Sequence, residues 1–130
     1  MAGGHEIIYN KLVADGITDP IFYELAADGQ DRPYIVIMQD ATEPHNTHNG
    51  ASSFDRVQCR VLTFGDRLIT GSGIVGAKTL ADTVRTSLDF YQDQGVKEVY
   101  FQNEQTESIE NSGNKRAYMI EQLYDVWINR

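Results

Sequence analysis

Polar and apolar positions alternate through Val57, Gln58, Cys59, Arg60 and Val61. A period of two belongs to a strand with one face buried and the other at least partly wet. Beyond Phe64 the period lengthens: Ala77, Leu80, Ala81, Val84, Leu88 and Tyr91 recur every three or four positions, with Lys78, Asp82, Arg85 and Asp89 on the opposite side. This spacing predicts an amphipathic helix over 77–91 lying on a sheet, with Gln94-Gly95 as its stop.

The flanking segments read in the same way. Ile7, Ile8, Leu12 and Val13 make a short helical stripe between His5 and Ala14, closed by Asp15-Gly16. Ile21 to Leu25 is a short strand or the entry to one, and the polar stretch from Ala26 to Arg32 is a turn. Tyr34 to Met38 is a continuous apolar run of strand length, which predicts a central strand. From Glu43 to Ser53 almost nothing can be buried, so the expectation is a long, exposed hairpin tip that is mobile until a partner orders it. Val96 to Gln105 is strand-like, and Glu110 to Asn114 is a turn signal. The last segment, Arg116 to Arg130, supports two periods: Tyr118, Ile120, Tyr124, Val126 and Ile128 suit a strand, while Ile120, Leu123, Tyr124, Trp127 and Ile128 fit a helical stripe. Its aromatic and β-branched content after a hairpin turn favours the strand. The predicted fold is α+β: a single domain over residues 1–130 with a four- or five-stranded, mostly antiparallel sheet, one long helix on a face and a short N-terminal helix. Leu80, Val84 and Leu88 are expected to face Ile35, Ile37, Val57 or Val61.

Composition narrows the function. A chain of 130 residues fits one domain, able to bury about two-thirds of its unfolded surface. Apolar runs stay far below the roughly 20 residues that span a bilayer, and the first residues lack the pattern of a signal peptide. The net charge of −8 argues against a protein that grips phosphate backbones, because that affinity comes from Lys and Arg displacing counterions. It is compatible with DNA passing nearby without sticking. Cys59, the single cysteine, reads as a small buried side chain.

Candidate chemistry is sparse. Gly71-Ser72-Gly73-Ile74-Val75-Gly76 is a literal GxGxxG, but a polar turn separates it from Phe64, and the preceding strand alternates where a buried parallel strand would be apolar throughout. His45 and His48 with Glu43 fall short of the ligands a zinc site needs on a fixed scaffold. Glu98, Glu104, Glu107 and Glu110 are scattered, and Ser72 lacks a GxSxG setting. A non-enzyme without cofactor, catalytic residue or metal is the expectation.

The order of elements, the strand Pro33-Tyr34-Ile35-Val36 after a polar turn, and Val57-Gln58-Cys59-Arg60-Val61 followed by the helix containing Ala81 to Asp89 together resemble the tail completion, or tail terminator, family of tailed bacteriophages and prophages. The resemblance covers nearly the whole chain. It implies a structural virion protein, made in the bacterial cytoplasm, that forms a ring of six at the head-proximal end of the tail tube. The implied partners are other copies of itself, the tail tube protein and the head-tail connector protein, with DNA passing through unbound and no membrane involved. The stretched connection Arg67 to Gly73 and the long tip depart from the family pattern and fit equally another neck or minor tail component. A small nucleotide-binding enzyme using the Gly71 to Gly76 turn and a cellular adaptor domain are the competing classes. The tip residues Thr42, Glu43, His45, Asn46, His48 and Asn49 are the candidate subunit-interface loop.

Overall fold

The computed structural model describes residues 3–17, 19–24, 34–47, 50–64, 73–93, 96–110 and 116–129. Its elements are α1 (Gly4–Ala14), β1 (Ile21–Tyr23), β2 (Tyr34–Thr47), β3 (Gly50–Phe64), α2 (Gly73–Leu88), β4 (Val96–Glu110) and β5 (Arg116–Asn129). The five strands form one sheet in the order β1-β2-β3-β5-β4. β1 runs parallel to β2, and every other neighbouring pair is antiparallel.

Both helices lie on one face of this α+β fold. Ile8 and Leu12 of α1 join Val84 and Leu88 of α2 in a core with Ile35, Ile37, Val57, Cys59, Val61, Val99, Tyr124 and Val126 from the sheet. Leu80 packs at its margin. The expected facing of Leu80, Val84 and Leu88 is therefore present, although α2 lies chiefly over β5 rather than over β2 and β3, which α1 covers. Small side chains explain the closeness on both sides. Ala77 and Ala81 lie directly against Ile120. A methyl group at Gly4 would sit 2.7 Å from Val57 Cγ1 and 2.9 Å from Cys59 Sγ, so only glycine lets α1 approach β3 this closely.

One polar cluster crosses the helix–sheet layer. The Gln122 side-chain amide donates to the Ala81 carbonyl (3.0 Å) and to Glu104 Oε1 (2.9 Å), and accepts from the Tyr124 hydroxyl (3.1 Å). Burial pushes the Tyr124 hydroxyl well above its ordinary pKa, so it stays a neutral donor.

Two boundaries differ from expectation. α2 starts at Gly73, four residues before Ala77, because its first turn needs no buried stripe. It ends at Leu88 instead of continuing through Tyr91 to Gln94-Gly95. The stop is Phe90, whose φ of 63° turns the backbone out of the helix. Residues 94 and 95 lie outside those described. The last segment is the strand β5, and β4 runs five residues beyond Gln105.

Candidate functional site

The segment expected to be a loop is largely strand. Thr42, Glu43, His45 and Asn46 belong to β2, paired in register with β3 through Thr42↔Val57, Glu43↔Arg56 and His45↔Phe54. The expectation failed because a β ladder is held by backbone hydrogen bonds, which a polar sequence makes as readily as an apolar one. His48 and Asn49 lie outside the described residues, so the six positions are not brought together as one loop. β3 loses its β5 neighbour beyond the Phe54↔Asn129 pair, which leaves Gly50 to Ser53 in a two-stranded ribbon with the end of β2.

A second ribbon leaves the opposite end of the sheet. β5 pairs with β3 only from Met119 onward, so Ser108↔Tyr118, Ile109↔Ala117 and Glu110↔Arg116 extend past β3 on β4 and β5 alone. Sequence reasoning missed this arm. Its available signal was a turn cluster flanked by strands, and its reach depends on where β3 ends.

The sheet face away from the helices is not the polar surface that Gln58 and Arg60 suggested. Tyr34, Val36, Leu62 and Phe64 share it with Phe22, each partly or fully buried by its neighbours although no helix covers them. Phe22 and Tyr34 meet edge to face at 6.0 Å, and Tyr34 stacks on Phe64 at 4.6 Å. Val36, beneath them, is only 4% exposed. The continuous apolar run from Tyr34 to Met38 was the signal, since a strand apolar at every position needs cover on both faces.

Charges on this face are balanced within the chain. A register shift between Gln39 and Ala41 inserts Asp40 as an extra residue in β2. Arg60 donates to Asp40 Oδ2 at 2.8 Å and lies 3.3 Å from Glu121 Oε1, while Arg56 lies 3.7 Å from Asp125 Oδ2.

At the far corner, Phe90 is 68% exposed. Its N–H donates to the Val99 carbonyl (2.9 Å), and the Val99 N–H donates to the Tyr91 carbonyl (3.0 Å), so the turn is fastened to β4. The left-handed backbone sends Tyr91 back to the core and leaves the Phe90 ring outside. Glycine or asparagine usually occupies such a position, and a bulky residue there costs on the order of 1 kcal/mol.

The chemistry-bearing candidates stay apart. Gly73 and Gly76 lie in the first turns of α2, and Gly71 and Ser72 lie outside the described residues. β3 has antiparallel neighbours on both sides and β5 separates it from β4, so the adjacent parallel strands of a dinucleotide-binding unit are missing there. Of the four carboxylates, Glu104 turns toward α2, where it meets Lys78 and Gln122, and Glu98 hydrogen-bonds Tyr100. An open cleft of about 570 Å³ beside α2 is lined by Asp15, Thr79, Asp82, Thr83, Thr86 and Ser87. Its hydroxyls and carboxylates have no histidine, lysine or cysteine among the described lining residues to act as a base or nucleophile partner. Asp15 is held below the usual carboxylate range by the Ser87 hydroxyl and by Lys11.

No family model and no curated protein matches the chain. Among solved structures, a chain of the virion of a native gene transfer agent particle has the same fold, with a TM-score of 0.71 at 13% identity. The match covers 95% of this chain and 92% of that one.

Proposed function

We propose that this protein is a structural virion component that completes the head-proximal end of a tail tube as a ring and docks it to the head connector. The observation that carries the reading is the fold shared with a gene transfer agent virion chain across nearly the full length of both. The two ribbons support it. They leave opposite ends of the sheet, and a tube-end protein needs one contact toward the tube and another toward the connector. Thr42, Glu43, His45, Asn46, His48 and Asn49 belong to, or border, the first of these arms, and we assign them to subunit contact. The partners are other copies of this chain in a ring of six, the tail tube protein and the connector protein. The role is not enzymatic.

The test is removal of the gene from the cluster that encodes the particle, followed by electron microscopy of the lysate. Filled heads without tails, beside tube of uncontrolled length, are the expected result. Joined particles with tails of normal length would overturn the assignment. Short tubes of normal length that end bare would favour the second reading, a neck component acting after the tube is finished.

A further inference from the structure

We propose that Phe90 is a knob that seats in the aromatic patch of Phe22, Tyr34, Leu62 and Phe64 on the open sheet face of the next copy of this chain. Four observations support it. The turn after α2 is closed by backbone bonds to Val99 that glycine would make equally well, so a 68% exposed ring in a left-handed backbone position is unexplained by the subunit's own fold. The patch is an apolar platform whose rings already pack on one another and whose face carries no helix. Arg56 and Arg60 are answered by Asp125, Asp40 and Glu121 within the chain, so an incoming group meets apolar surface and balanced charge. That favours an apolar knob over a strongly charged partner.

Placement selects a second copy. Phe90 is fastened to β4 at one edge of the sheet, whereas the patch spans β1, β2 and β3 at the other edge. Knob and patch are different surfaces of one molecule, so the contact between copies is head to tail. Repetition of such a contact closes into a ring when its rotation divides a full turn. The inference rests on the ring reading above and names a contact that makes the ring.

The test uses the full chain. Phe90→Gly removes the ring and suits the left-handed position, so its melting temperature should equal or exceed that of the unmodified protein. In sedimentation velocity, the concentration for half-assembly should rise at least about tenfold, as for loss of a central aromatic anchor. A second variant carries Phe90→Cys with Leu62→Cys and is oxidised mildly. Cys59 does not compete, because it is fully buried and its thiol is pushed up to about 12. A ladder of disulfide-linked species beyond the dimer is expected from the double variant, and none from either single one. If unmodified protein forms rings but Phe90→Gly assembles equally well, or the double variant gives no ladder, this contact is wrong and the ring reading stands. A variant that still forms rings but no longer joins tail tube protein would assign Phe90 to a different partner and overturn the proposal. If unmodified protein stays monomeric alone and with tail tube protein, the ring reading fails and this contact falls with it.

Discussion

Gln122 shows how a single residue ties the layers of this protein together. Its amide has partners on α2, β4 and β5 at once, and it is fully buried. A buried polar group is tolerated when its hydrogen bonds are made, and the greater penalty falls on the partner left behind when one is deleted. Gln122→Leu strands the Tyr124 hydroxyl and should cost about 1 to 3 kcal/mol in urea unfolding. Adding Tyr124→Phe removes the stranded group, so the double variant should be less destabilised than the sum of the two single changes, with a coupling of about 0.5 kcal/mol or more. Strict additivity would mean that the hydroxyl finds water and the cluster is not a unit. None of this was legible beforehand: Gln122 occupies an inward position of a strand whose other inward members are Ile120, Tyr124, Val126 and Ile128, and nothing local distinguishes it from an outward glutamine.

At the scale of elements, β3 sets the hierarchy of stability. It has a strand on each side from Phe54 to Phe64, whereas Gly50 to Ser53 extend past β5. Amides of Val57, Cys59 and Val61 should therefore exchange hydrogen slowest, near the rate set by global unfolding, and those of Gly50 to Ser53 much faster in the isolated subunit. A ribbon of two strands is marginal by itself, and contact with a neighbouring subunit adds the partners it lacks. Protection at 50–53 should then rise in assembled tails. Deleting Asn46 to Gly50 should leave the melting temperature of the subunit nearly unchanged while impairing assembly. Equal protection in subunit and tail, or normal assembly of the deletion variant, would remove this arm from the interface.

For the whole molecule, charge is the property that matters most. Nineteen acidic residues against eleven basic ones give the net charge of −8. In a ring around a DNA channel, a lumen rich in Lys and Arg would hold passing phosphates through counterion release. We expect the lumen of assembled rings, seen by cryo-electron microscopy, to be lined mainly by Asp and Glu. A channel lined mainly by Lys and Arg would contradict that. The mixed charges on the open sheet face, already paired, suit contact between subunits better than contact with DNA.

The kinds of elements were legible in the sequence because burial on one side imposes a local period. Val57, Cys59 and Val61 alternate in β3, and Leu80, Val84 and Leu88 recur in α2, whatever the rest of the chain does. The β-branched and aromatic content of 116–129 likewise favoured a strand over a helix of similar periodicity. Position in the sheet was not legible. That β5 inserts between β3 and β4, that two ribbons project from opposite ends, and that Phe22 meets Tyr34 and Phe64 on an uncovered face all depend on pairings between distant segments. The candidate interface was named in the sequence as a polar loop, and the structure makes most of it strand because ladder bonds are indifferent to side-chain polarity. Phe90 carries no turn signal of its own. Its backbone conformation is set by bonds to Val99 of β4, and only the packed chain brings those groups together.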